Sequence, residues 1–181
     1  TEQPARDTTL YAIRRVKEKG SIISYDPNYR ASLWKDENTA KAQMRSLIPY
    51  ADIMKISDEE TELLTGKMKP EEAAEILFRE GIKIAVVTLG SKGAYLYCKE
   101  GGAHIPGFVS EAVDTNGAGD SFWGGFLYCI SKSGKSPEQF TMEELKEYVR
   151  FGNAVASLCV EKKGAIPAMP ELAQVKERME R

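Results

Sequence analysis

Residues 84–89, Ile-Ala-Val-Val-Thr-Leu, are an apolar, β-branched run set between Gly81 and Gly90, and a run of that kind reads as a central strand of a sheet. Helical periodicity surrounds it. Leu10 to Lys19 reads as a helix ended by Gly20, Ser21 to Tyr25 as a short buried strand closing at an Asp-Pro turn, and Asn38 to Ile48 as a helix stopped by Pro49. Ala51 to Lys55 reads as another strand, followed by a helix to Leu64 with Gly66 at its C-cap; Pro70 then opens a helix that ends at Gly81. Ala94 to Cys98 and Phe108 to Val113 read as later strands of a meander. The remaining helices are expected from Gly117 to Ser131, Met142 to Val160 and Glu171 to Glu180. This alternation implies an α/β domain with a largely parallel central sheet and helices on both faces.

The length of 181 residues suits one domain, and 42% apolar residues suffice for a full core. A net charge of −2 and the lack of a basic run interleaved with aromatics argue against a nucleic-acid partner. No stretch of eighteen apolar residues or signal-like start occurs, which argues against a membrane span or secretion. Cys98, Cys129 and Cys159 are too widely spaced for zinc pairs and odd in number, so they read as reduced, buried thiols of a cytoplasmic protein. His104 is the single histidine, which leaves carboxylates as the acid–base groups.

Chemistry concentrates in residues 113–125, Val-Asp-Thr-Asn-Gly-Ala-Gly-Asp-Ser-Phe-Trp-Gly-Gly. Gly117, Ala118 and Gly119 let a loop turn into a helix, whose first N–H groups then point at bound negative charge. Asp120 sits in that first turn, where a carboxylate is favoured electrostatically. A base beside an anion cradle suggests phosphoryl transfer, with Asp120 taking the proton of an attacking hydroxyl. The loop taken alone is equally a capped helix after a glycine turn. Two other phosphate motifs fail. The first glycine of a P-loop ending in Gly134-Lys135-Ser136 would fall at Cys129, and a dinucleotide fingerprint needs glycine where Phe122 stands.

Four further segments accompany this loop: Tyr25 to Arg30 with Leu33-Trp34, Lys55 to Glu60 with Leu64-Thr65-Gly66, Val87 to Gly93, and Lys163 to Pro167. Together with residues 113–125 they resemble, in order, the motifs of the ribokinase-like (PfkB-type) sugar kinases, and the Asp-Pro-Asn-x-Arg with Leu-Trp variant is most similar to the fructokinase branch. The resemblance covers nearly the whole chain. It implies a ribokinase-like fold and transfer of the γ-phosphoryl of ATP to a sugar hydroxyl, fructose first among the acceptors. The alternatives are another sugar or nucleoside kinase of the same fold, or a nucleotide-binding fragment without turnover.

In an open α/β sheet ligands sit beyond the carboxyl ends of the strands, and all the strand-following segments reach that edge. The resemblance implies that Thr88, Gly90 and Gly93 contact nucleotide, that Asn153 lies by the adenine, and that Glu60 orders magnesium or phosphate. Ser57 stands where the family carries asparagine, and Ser57 with Glu60 also reads as a capping box. Arg30, behind a proline-fixed corner, would grip phosphate or sugar. Asn153 could instead bond back along its own helix. Gly152 permits close approach, and Gly124 with Gly125 suggests tight packing. Asp114, Asn116 and Gly164 fall where the family holds a monovalent cation, which makes potassium the third expected cofactor after ATP and magnesium. The resemblance also implies that residues 1–181 are the C-terminal, nucleotide-binding and catalytic portion of such a domain, without its N-terminal sugar contacts and β lid. A homodimer is expected for the complete protein.

Overall fold

The structure is a computed structural model that describes residues 2–180. Its elements in chain order are α1 (Ala5–Glu18), β1 (Ser24–Tyr25), α2 (Glu37–Arg45), β2 (Ile53–Ser57), α3 (Thr61–Thr65), α4 (Pro70–Arg79), β3 (Ile84–Thr88), β4 (Ala94–Cys98), β5 (Gly101–Ile105), α5 (Ala118–Ser133), α6 (Met142–Cys159) and α7 (Leu172–Met179), with single 3-10 turns between several of them. One sheet runs in the order β1-β2-β3-β4-β5. β1, β2 and β3 are parallel, whereas β3 to β4 and β4 to β5 are antiparallel. The sheet is therefore mixed, and chain length explains the reversal. A parallel neighbour needs a crossover of about a dozen residues or more, and only residues 89–93 separate β3 from β4.

Alternation along β2 and β3 builds a core on each face of the sheet. Ile53, Ile84 and Val86 join Leu96 and pack under α5 and α6 against Phe122, Phe126, Leu145 and Val149. Met54, Ile56, Ala85 and Val87 face the other way, against Met44, Leu64, Ala74 and Leu77 of α2, α3 and α4. Side chains as fully buried as Phe126 and Leu77 contribute roughly 1.5–3 kcal/mol each by leaving water. A Thr141–Glu144 capping box starts α6 and gives the helix that backs the site a defined origin.

Residues 108–113 are not a strand. Pro106 lacks an N–H for a ladder and is followed by glycine; Val109 is then 97% exposed, while Phe108 turns inward against Ala154 and Val175. The fifth strand is Gly101–Ile105, whose paired glycines look like a turn in sequence. A Cβ on Gly102 would lie 2.1 Å from the Tyr95 hydroxyl, so the cross-strand aromatic occupies the space a side chain would need. The strand expected over residues 21–25 shortens to two residues.

The three cysteines are unpaired. Burial pushes the Cys98 thiol up and the Cys129 thiol up to about 11, so both stay protonated and unreactive at neutral pH. Among the described residues no helix is long and apolar enough to cross a membrane.

Candidate active site

Gly117 is the N-cap of α5, with φ of 79°, and a Cβ there would lie 2.5 Å from the Cβ of Ala165. Only glycine meets both demands. The Ala118 N–H donates to the Thr115 carbonyl at 3.2 Å; with no side chain at the cap, the N–H groups of Gly119 and Asp120 are left for an anion, and the helix dipole favours one there. Gly119 follows one residue into the helix, and a Cβ on it would lie 3.2 Å from the Lys55 ammonium.

The loop in front of this cradle is tied to the loop after α6. The N–H groups of Val113 and Asp114 donate to the Val160 carbonyl at 2.7 and 3.1 Å. Asp114 accepts from the Asn116 N–H at 3.0 Å through Oδ1 and from the Gly164 N–H at 2.9 Å through Oδ2. The Asn116 and Gly164 amides hold the Asp114 carboxyl below the usual carboxylate range. Asp114, Asn116 and Gly164 thus meet at one clasp, to which Asn116 and Gly164 each bring an N–H.

Behind the cradle lies a pocket of about 290 Å³, lined by Thr88, Gly90 and Gly93 from the β3–β4 turn, by Ala118 and Gly119, and by Asn153 of α6. Asn153 does not bond back along its helix. Its Nδ2 donates to the carbonyls of Ile105 at 3.3 Å and Pro106 at 3.0 Å, so it both lines the pocket and holds the start of the 106–117 segment. Asp120 is exposed and lines an adjoining groove with Ser121 and Gly124 of α5, Phe151 and Val155 of α6 and Leu172 of α7. Gly119 thus lines the pocket, and Asp120, the next residue, lines the groove.

The remaining residues from the sequence reading gather on the β1–β2 side. Glu60, 5% exposed, accepts from the Ser57 N–H at 2.8 Å and the Ser57 hydroxyl at 3.1 Å through Oε2, which is the capping box. Its Oε1 accepts from the Tyr29 N–H at 2.6 Å and so fixes the Asp-Pro-Asn corner onto the end of β2. Arg30 is exposed, and its guanidinium donates to the Tyr29 carbonyl at 2.9 Å.

The glycine reading of the helices needs correction at two positions. Gly152 does permit a close approach, but of Phe122, whose carbonyl would lie 2.9 Å from a Cβ there; it serves the α5–α6 contact and does not line the pocket. Gly125 is likewise tight, against Val155 at 2.9 Å, whereas Gly124 meets nothing within 4 Å and opens onto the groove.

Sequence reasoning missed three residues. Lys55 and Asp26 form an ion pair at 2.6 Å, with side chains 6% and 15% exposed. Burial raises the Asp26 carboxyl, Lys55 opposes that rise, and Glu60 and Asp120 add to it. The signal was a lysine inside the apolar strand Ile53-Met54-Lys55-Ile56, which read only as a strand end. Arg178 of α7, 9% exposed, grips both Glu161 oxygens at 2.9 Å and the Ser157 hydroxyl at 3.1 Å, and so braces the pocket wall from behind. An arginine in a short charged helix gives no sequence signal of that role.

The model of the pfkB family of carbohydrate kinases matches residues 1–172. Fructokinase-2 of Oryza sativa subsp. japonica is 39% identical over 176 residues, which cover 97% of this chain and 52% of that protein. A double mutant of fructokinase from Vibrio cholerae O395, solved with fructose, ADP and potassium ion, superposes with a TM-score of 0.89 at 32% identity, covering 98% of this chain and 56% of that one. Aminoimidazole riboside kinase from Salmonella enterica, solved with aminoimidazole riboside and an ATP analog, gives a TM-score of 0.87 at 30% identity, over 100% of this chain and 60% of that one. The chain spans about half the length of the curated relatives it matches first.

Proposed function

Because the chain belongs to the pfkB family of carbohydrate kinases, we propose that residues 1–181 carry the nucleotide-binding and catalytic portion of an ATP-dependent sugar kinase whose acceptor is fructose. One observation carries this reading. The N-terminus of α5, with no side-chain cap, borders a 290 Å³ pocket through Ala118 and Gly119 and carries the Asp120 carboxylate one residue further on, in the adjoining groove. A nucleotide base fits the pocket between the β3–β4 turn and α6, and its phosphates then run over Gly119. Asp120 takes the proton of the acceptor hydroxyl as that oxygen attacks phosphorus, and first-turn N–H groups meet the charge spread over the phosphoryl oxygens.

Fructose as acceptor is supported by the likeness to the rice and Vibrio fructokinases. Magnesium would come with the nucleotide phosphates and neutralise their charge, and Glu60, whose two oxygens accept from Ser57 and Tyr29, would order the loops around it. Potassium would sit beside Asp114, whose oxygens also accept from the Asn116 and Gly164 N–H groups, in the loop that leads to Gly117. A nucleoside acceptor is the second reading, favoured by the likeness to the Salmonella kinase.

Calorimetric titration with ATP and ADP in the presence of magnesium tests the nucleotide reading. Binding by this chain, lost on Gly117→Val where the new side chain collides with Ala165, supports it; no binding overturns it. A coupled assay for ADP release against fructose, other sugars and nucleosides then separates the two acceptors, and turnover confined to nucleosides would overturn the fructose assignment.

A further inference from the structure

Lys55 occupies a position where the fold has no use for a charge. Its neighbours Ile53, Met54 and Ile56 have no exposed surface, and Lys55 itself is 5% exposed on the face of β2 that α5 covers. Removing an ammonium and a carboxylate from water is costly, and a packed apolar pair commonly serves stability as well or better. The pair nevertheless lies against the cradle, with the ammonium 3.2 Å from the position of a Gly119 Cβ. Asp26 takes one of the three N–H donors at 2.6 Å, which leaves others for a group seated on Gly119. Asp26 is itself held by the Asn28 N–H at 3.2 Å, at a corner that Glu60 pins through Tyr29.

Direction matters as well. The 290 Å³ pocket includes Gly119 but not Lys55, Asp26 or Glu60. A nucleotide whose base lies in that pocket therefore presents its α- and β-phosphates over Ala118 and Gly119 and its terminal phosphoryl to Lys55. Three carboxylates, Asp26, Glu60 and Asp120, interact electrostatically around this point, and a fourth anion entering it needs a cation.

Resting on the kinase reading above, we propose that Lys55 is a catalytic residue that contacts the terminal phosphoryl group, and that Asp26 is the positioning residue that aims it. In the step it serves, the acceptor oxygen forms a bond to γ-phosphorus while the bond from γ-phosphorus to the β–γ bridging oxygen breaks. The acceptor proton passes to Asp120, and the bond pair leaves with ADP. Lys55 donates to the phosphoryl oxygens throughout and keeps its own protons.

The experiment compares ATP and ADP affinities, each with magnesium, by calorimetry for the unsubstituted chain, Lys55→Met, Lys55→Arg and the double variant Lys55→Met with Asp26→Leu. A charge-assisted hydrogen bond to the terminal phosphoryl predicts an ATP affinity reduced about 10-fold or more in Lys55→Met, with ADP affinity nearly unchanged. Lys55→Arg should recover part of the loss. The double variant leaves no orphaned charge, so it should melt near the unsubstituted chain and show the same selective loss of ATP. Equal loss of ATP and ADP, or a double variant that keeps its preference for ATP, would overturn the role of Lys55 while the nucleotide site stands. Failure of the unsubstituted chain to bind either nucleotide would overturn the kinase reading and this proposal with it.

Discussion

The Glu60 carboxylate receives the Tyr29 N–H at 2.6 Å through one oxygen and the Ser57 N–H at 2.8 Å through the other, joining the turn after β1 to the end of β2. Those two segments carry Asp26 and Lys55, so one buried side chain sets the spacing of the charged wall beside the cradle. Glu60→Ala should cost about 3–5 kcal/mol, since it leaves buried backbone donors without a partner as well as removing charge-assisted bonds. Glu60→Gln keeps an acceptor and should cost less. Denaturant melts of the two variants check the order, and an equal loss would refute it.

Asp120→Asn should leave nucleotide affinity nearly intact, because Asp120 lies outside the pocket, while turnover in an active enzyme carrying this chain falls by about 10²–10⁴, the range for a lost general base. Steady-state kinetics alongside nucleotide titration measure both. Near-normal turnover would remove Asp120 from the role of base.

Potassium should tighten nucleotide binding relative to a buffer whose only cation is a bulky organic one, because an ion at the Asp114 clasp orders the loop that ends at Gly117. Asp114→Ala should abolish that difference. Affinities that do not change with the cation would show that the clasp works through its amide bonds alone.

Acid should loosen the same clasp. The folded Asp114 carboxyl titrates below its ordinary 3.8, so its contribution to stability is fully present above that value and is lost as pH falls through the depressed one. Asp114→Asn should therefore melt below the unsubstituted chain at pH 7, and the gap should close toward pH 3. Asp26 has the opposite sign: its raised carboxyl favours the folded state more as pH falls, and that gain is lost as pH rises through the raised value. Melting temperatures taken from pH 7 to pH 3 test both, and a gap for Asp114→Asn that widens in acid would contradict the assignment.

Gly117→Val should destroy nucleotide binding, since it requires a left-handed valine in contact with Ala165, whereas Gly124→Ala should be neutral or slightly stabilising because open space surrounds it in α5. Paired melts and titrations of the two variants check the contrast; equal effects would mean that the cradle does not depend on the glycine.

The sequence by itself determined the strands and helices wherever period, cap and punctuation agreed. Ala94 to Cys98 came out with its observed limits, Pro70 and Gly81 bracketed α4, and the five-residue gap after β3 already forbade a parallel return. It also showed the glycine turn that opens α5, because Gly117, Ala118, Gly119 and Asp120 are consecutive and their geometry is local. Tertiary structure alone decided what depends on distance through space. Asp26 and Lys55 are 29 residues apart, and neither announces the other until β1 and β2 lie side by side. Phe108 to Val113 has the apolar residues of a strand but pairs with no strand, and Asn153 holds the segment just before it in place instead. The split between pocket and groove arises the same way, since α6 lines both, with Asn153 and Ser157 in one and Phe151 and Val155 in the other. Local sequence dictates backbone shape; the packing of one element on another decides which charged side chains meet.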